Sequence, residues 1–453
     1  MQYDHASPQM IDSLAKLAEK NDQIDCELYK KYDVKRGLRD LDGKGVLVGL
    51  TRVGNVYGYD VVDGKPVAVP GKLIYRGYDV EDIIADIEES EQFGFEQVIY
   101  LLLFGELPNA SELAEFDAIL GEFRSLPENF VEDMILKSPS SDIMNKLARS
   151  VLVSYSYDPH PEDTSTANNL LQCIQLISRF PAMVAYGYQA KRRHYDGKSM
   201  YLHNPLPNLS TAENFLRMIR ADKNYDKLEA ELLDLALILH AEHGGGNNST
   251  LTVHVVSSAD TDTYSSIGAA VGSLKGRRHG GANIKVIEMM DDIKANVADW
   301  TNKVEVGDYL RKILRKEAND HTGLVYGQGH AVYTISDPRA TLLREKARKL
   351  AEVKNGTEEF NLYCLIEEIF PQIFKEEKGG DKRICTNVDF YSGFVYSMLG
   401  IPRELYTPIF AVSRIAGWAA HRLEEIISGG RIYRPAFKHV NELREYIKLD
   451  DRH

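Results

Sequence analysis

KLEAELLDLALILHAEHGGGNNSTLTVHVV (227–256) joins an apolar helical run, two histidines, three consecutive glycines and a β-branched tail. Its first part, KLEAELLDLALILHAEH, reads as the second of two helices in 211–243. A helix running into glycines 244–246 ends there, because glycine favours the conformations that close a helix. That end leaves exposed backbone beside His243, where a ligand can dock. His240 and His243 stand three residues apart and share a face if the helix continues that far. The tail STLTVHVV (249–256) suits a strand as well as a helix. YSSIGAAVGSLKG (264–276), directly after it, has the small residues that let helices pack closely.

Outward from this stretch the helical period governs everything after residue 80. Phe95, Val98, Ile99, Leu102 and Leu103 make one apolar stripe; Leu113, Phe116, Ile119 and Leu120 make another, started by Ser111. Leu147, Val151 and Val153 continue the pattern. YDPHPEDTSTANN (157–169) is a loop with a cap, and Pro181 is expected to interrupt or kink the helix that follows. Later breaks fall at 318–330, 376–388 and 428–436, with EEKGGDKR (376–383) as an exposed loop. Only 45–78 reads as strand, where Asp-Gly and Pro-Gly pairs predict one or two short hairpins. Residues 1–45 are polar, with one helical pattern on Met10, Leu14 and Leu17. The fold class is therefore all-α, with a small β element near the N-terminus.

The composition is that of a globular protein long enough for one large or two to three ordinary domains: 453 residues, 43% hydrophobic and 27% charged. A net charge of −13 argues against a nucleic-acid-binding surface and a basic membrane-binding face. The longest apolar stretches, such as LLDLALIL (232–239), are too short to span a bilayer, and MQYDHASPQM lacks the order of a signal peptide. Four scattered cysteines without CxxC spacing suit a reduced, cytoplasmic compartment.

Three histidines beside glycine, His243, His279 and His330, precede Asp389. Imidazoles and one carboxylate make a kit for moving protons around a carbonyl compound. Each also has a plain structural explanation. A metal pair at His240 and His243 would need a third ligand and is not spaced as HExxH. Arg277, Arg278 and His279 could form a solvated basic turn; the glycines after them indicate either a tight turn or a helix start with free amides. GQGHAVYTISDPR (327–339) has half a dinucleotide fingerprint, without the third glycine or a preceding strand. Its Asp337-Pro338-Arg339 end starts a helix and offers a guanidinium to a carboxylate. Asp389 is either a helix cap or a working carboxylate. Arg414, in the apolar FAVSRIAGWAAHRLEE, needs an anionic partner. Arg434, in RIYRP, reads alone as a surface residue.

Taken together and in order, HAEHGGGNNST, GSLKGRRHGGAN, GQGHAVYTISDPR, NVDFYSG and FAVSRIAGW resemble the citrate synthase family. GKLIYRGYDVEDI (71–83) and FEQVIYLLLFGELP (95–108) extend the resemblance, which runs from about residue 70 to about 440. It implies a homodimer of multi-helical two-domain chains: a large domain over 1–280, a small domain over 281–400, and a return to the large domain with a C-terminal arm over 401–453. It implies condensation of acetyl-CoA with oxaloacetate and hydrolysis of the thioester to citrate and CoA, with acetyl-CoA as substrate and no metal or other cofactor. By matching positions, Asp389 removes a methyl proton, His279 stabilises the enol, and His330 binds and protonates the oxaloacetate carbonyl. His243, Arg339 and Arg414 hold the oxaloacetate carboxylates, and Arg434 reaches the partner subunit's site. Thr334 falls where several members have an arginine used toward CoA phosphate, so Lys382 and Arg383 become the candidate CoA contacts. His254 falls where many relatives have arginine. The alternatives are 2-methylcitrate synthase, using propionyl-CoA with the same catalytic set, and, from other classes, a histidine-ligated metallohydrolase or a non-catalytic helical protein.

Overall fold

The computed structural model describes residues 7–40, 45–63, 65–379 and 383–452; Lys382 lies outside them. Contacts divide the chain into two units, Met1–Leu50 with Arg434–His453, and Thr51–Tyr433.

The larger unit is built around the helix Tyr406–Ser428, buried without a break from Tyr406 to Leu423. A helix covered on all sides is a core helix, and this one is walled by Phe95–Phe104, Thr166–His194, Lys227–His240, Asn248–Ser257 and Thr263–Leu274. Gly417 sets the closest approach. Its N–H donates to the Ala241 carbonyl at 3.2 Å, and a Cβ there would stand 2.4 Å from the same oxygen. Backbone thus meets backbone two residues before His243.

Four local expectations are settled by this packing. The stretch 249–256 lies in the helix Asn248–Ser257, capped by Asn247 and packed on Thr263–Leu274 and Tyr406–Ser428, so tertiary burial overrides its β-branched character. Pro181 does not interrupt its helix: Thr166–His194 runs through it, with every residue from Phe180 to Ala190 buried. Lys227–His240 stops three residues short of His243, so the shared helical face of the two histidines does not exist. The helix Thr357–Lys378 also runs into the supposed loop 376–383, which opens only at Gly379.

The β element is an antiparallel sheet of Gly54–Val62, Lys65–Tyr75 and the short Tyr78–Asp79. Gly54 pairs with Tyr75 and Val62 with Lys65, with a register shift between Tyr57 and Tyr59. The sheet braces the loop that carries His330. Gly71 N–H donates to Ser336 Oγ at 3.2 Å, and Tyr333 O–H donates to the Lys72 carbonyl at 3.2 Å.

In the smaller unit the helix Pro8–Asp22 starts at Ser7, whose hydroxyl accepts from Met10 N–H, and buries no residue. Its apolar side chains Met10, Ile11, Leu14 and Leu17 are all more than half exposed. Lys438 Nζ lies 5.4 Å from the centre of the Tyr32 ring. Among the described residues no helix is long and apolar enough to cross a membrane.

Candidate active site

Where Lys227–His240 ends, the chain turns through 241–247 and delivers His243 into the interior. Glu242 pins the turn by accepting from Gly244 N–H, and its carboxylate lies 3.1 Å from His421 Nε2. His243 packs edge-on against His330, ring centres 5.1 Å apart, and its Nε2 is buried without a hydrogen-bond partner among the described residues. Burial and the nearby Arg339 charge hold it well below the usual imidazole range.

His330 stacks on Tyr333 with ring centres 4.6 Å apart. Its Nδ1 accepts from the backbone N–H groups of Val332 and Tyr333, both at 3.1 Å. A nitrogen that accepts twice carries no proton, so the ring proton sits on Nε2. Burial pushes the imidazole down to about 4, so it is a neutral donor at physiological pH.

His279 has the opposite tautomer. Its Nε2 receives Ser249 N–H at 3.3 Å and lies 2.9 Å from Ser249 Oγ, which leaves Nδ1 as the donor. Ser249 is itself fixed by Trp418 Nε1–H, 3.1 Å from its Oγ. Burial lowers His279 to about 4. Both readings of the following glycines are found: Gly280 N–H donates to the Leu274 carbonyl at 3.0 Å in a tight turn, where a Cβ would come within 2.3 Å of that oxygen, and Gly281 is the N-cap of the helix Ala282–Asn296, with no side chain capping it. Arg277 and Arg278 are exposed, and only the third member of the RRH triplet turns inward.

Asp389 is not the cap of its helix. Asn387 caps Val388–Met398, accepting Asp389 N–H at 3.0 Å, and so leaves the Asp389 carboxylate uncommitted. Burial raises that carboxyl to about 6, with Arg339 and Arg414 opposing the rise. Asn387 also aligns this turn with the His330 loop: its Nδ2 donates to Gly329 O at 2.8 Å and its N–H to Gly327 O at 2.9 Å. The glycines of GQG serve this crossing. Gly327 has φ +78°, and a Cβ on it would stand 2.7 Å from the Phe390 ring.

Two guanidinium groups complete the cluster. Arg339 is buried and grips Asp337 bidentately, Nε to Oδ1 at 3.0 Å and Nη2 to Oδ2 at 2.7 Å. The carboxylate predicted for this arginine is its own helix cap. Arg414 is fully buried over the Phe410 ring, with Nε donating to the His240 carbonyl at 2.6 Å. Neither of its terminal nitrogens has a partner among the described residues. Desolvation lowers it to about 10 despite the Glu242 charge.

His243, His279, His330, Arg339, Arg414 and Asp389 therefore converge. The Arg414 charge is felt at His243, His279 and Asp389, and the Arg339 charge at His243, His330 and Asp389. Arg383 is exposed. Arg434 belongs to the smaller unit. Sequence reading missed Ser249 and Tyr333, which fix the imidazoles, and Asp337, which engages Arg339. Two residues had usable signals: Asn387, a preferred cap two residues before the acid, and Asp337, in an Asp-Pro helix start.

Such a site can ionise a carbon acid beside a neutral donor while an enclosed cation receives an anion. Over residues 41–436 the chain matches the model of the citrate synthase C-terminal domain family. It is 35% identical over 426 residues to a citrate synthase of Haloferax volcanii, covering 93% of this chain and 99% of that one. A 2-methylcitrate synthase of Shewanella oneidensis is 32% identical over 85% of this chain and 94% of its own. Among solved structures, the Thermoplasma acidophilum citrate synthase in ternary complex with carboxymethyl coenzyme A and oxaloacetate superposes with TM-score 0.75 at 28% identity, over 92% of this chain and 99% of that one.

Proposed function

The chain belongs to the citrate synthase family, and from that premise we infer how its residues divide the work. It is an acyltransferase that condenses acetyl-CoA with oxaloacetate and hydrolyses the thioester to citrate and CoA. Asp389 removes a methyl proton from acetyl-CoA. A thioester α-proton is weakly acidic, so the developing oxygen charge needs a donor, and the His279 Nδ1–H supplies it. One well-placed donor at such an oxygen is worth about 3–4 kcal/mol. The nucleophilic carbon attacks the ketone carbon of oxaloacetate, while the His330 Nε2–H polarises the ketone oxygen and delivers its proton. Water then cleaves the thioester. The residues need no metal or redox group for these steps.

The observation that carries the reading is Arg414, a fully buried cation with two unpartnered nitrogens beside the unpartnered Nε2 of His243. Enclosing such groups is costly unless an anion answers them. A dicarboxylate brings two charges, and Arg339 is already balanced by Asp337. One further cation is called for, and we assign it to Arg434 of the partner subunit in a homodimer. We also assign the halves of the cleft to a large domain of 1–280 and 401–453 and a small domain of 281–400, and CoA phosphate contact to Lys382 and Arg383. The unpaired, dispersed cysteines favour the cytoplasm.

Release of free thiol from acetyl-CoA that requires oxaloacetate tests this assignment; thiol release indifferent to oxaloacetate sinks it. The Shewanella relative favours running propionyl-CoA alongside. One methylene alters pocket fit by about 1–3 kcal/mol, so kcat/KM for the two acyl-CoAs decides between citrate and 2-methylcitrate.

A further inference from the structure

Behind the active-site turn lies a second cluster of histidines and carboxylates that the reaction does not use. His254, on Asn248–Ser257, and His421, on Tyr406–Ser428, are both buried and face each other with His254 Nε2 3.1 Å from His421 Nδ1. Glu424 Oε2 lies 3.6 Å from the same His421 nitrogen, and it is buried without a hydrogen-bond partner among the described residues. All three atoms lie within 4.8 Å of one another. Each imidazole is backed on its far nitrogen by a different carboxylate: His254 Nδ1 by Glu425 Oε2 at 2.7 Å, and His421 Nε2 by Glu242 Oε1 at 3.1 Å.

We propose that His254, His421 and Glu424 form a binding site for one divalent transition-metal ion, zinc by preference. Donor spacing supports it. With metal–ligand bonds of about 2.0–2.1 Å, the separations of 3.1 and 3.6 Å correspond to angles of roughly 100° and 120° at the ion for the two pairs that include His421, and the His254–Glu424 pair lies within 4.8 Å. Two imidazoles and a carboxylate suit zinc and its late-transition neighbours better than calcium or magnesium. Glu425 orients the His254 ring as metal-bound histidines are usually oriented, on the nitrogen that faces away from the ion, while Glu242 lies 3.1 Å from the far nitrogen of His421 as its charge partner. Without an ion the facing nitrogens share one proton, and uptake exchanges that proton for the metal. The ion joins two core helices and, through Glu242, holds the turn that carries His243. Its role is a clasp on the oxaloacetate pocket, outside the chemistry itself. The ligands are 167 residues apart in the chain, beyond the reach of any sequence spacing.

The test loads chelator-stripped full-length protein with zinc chloride, removes excess by gel filtration, and measures metal by mass spectrometry and melting temperature by calorimetry. Wild type should retain about one zinc per chain and melt higher with it. His254→Gln and Glu424→Gln should lose both effects, and Glu425→Gln should bind about 10–100-fold more weakly. Circular dichroism of each stripped variant confirms folding. Cobalt-loaded wild type should show the visible absorption bands of a four-coordinate site, a readout that needs no variant. Absence of retained metal in wild type overturns the proposal. So does equal retention in folded His254→Gln and Glu424→Gln, which would place the ion elsewhere.

Discussion

Arg414→Leu should separate the cost of enclosing a charge from its use. The guanidinium is fully buried, anchored by Nε to the His240 carbonyl, with neither terminal nitrogen partnered among the described residues. Burial lowers its pKa from the usual guanidinium range to about 10. A tenfold change in protonation equilibrium corresponds to about 1.4 kcal/mol, so holding this charge costs the folded chain about 3 kcal/mol. The sign follows from linkage. A cation with a depressed folded-state pKa destabilises the fold fully below pH 10, and the cost fades as pH rises toward the usual guanidinium range. At pH 7 the substitution removes that cost and loses one charged hydrogen bond, worth about 1.5–3 kcal/mol. Denaturant unfolding without ligand should therefore give a stability within about 2 kcal/mol of wild type, raised rather than lowered. Oxaloacetate at a hundred times its Kd should stabilise wild type by about 2.7 kcal/mol and leave the variant unmoved. Loss of more than about 3 kcal/mol without ligand, the signature of breaking a satisfied buried pair, would refute the reasoning. An undiminished oxaloacetate shift in the variant would refute it too.

Asp389 must be ionised to act, so kcat/KM should fall about tenfold per pH unit below pH 6 and level above it; a profile flat from pH 5 to 8 contradicts its role as base. Ser249→Ala should lower kcat about tenfold, by loosening the ring that a placed donor depends on, with little change in the KM for oxaloacetate; a pure KM effect would mean that His279 does not depend on it. Gly327→Ala places a side chain at φ +78° against Phe390, and equilibrium unfolding should show a loss of about 2–4 kcal/mol. Mixing Arg434→Ala with Arg414→Ala subunits should restore part of the activity that each homodimer lacks; verified exchange without recovery argues against a shared site.

The sequence was most readable where the apolar pattern is local. The Phe95–Phe104 stripe and the helices within 211–243 stand where their periodicity placed them, and a hairpin follows residue 45, but the Pro70-Gly71 pair read as a turn lies inside the strand Lys65–Tyr75. It was least readable where distant packing decides. The β-branched stretch 249–256 is helical because two other helices enclose it. Pro181 sits inside an unbroken helix within a continuously buried stretch. Motif order brought the catalytic residues together, yet their protonation states rest on contacts no motif shows. The His330 tautomer is written by backbone N–H groups of Val332 and Tyr333, and that of His279 by Ser249. Asp389 looked like a cap because it begins a helix; Asn387 takes that duty, and the carboxylate remains for chemistry.

Stopped-flow thiol release from acetyl-CoA at pH 8, by wild type and Asp389→Asn with and without oxaloacetate, tests the account most directly. Wild type should release thiol only when oxaloacetate is present. Asp389→Asn should bind oxaloacetate normally and turn over about 10²–10⁴-fold more slowly. Near-normal turnover by a folded Asp389→Asn, or thiol release without oxaloacetate, would contradict it.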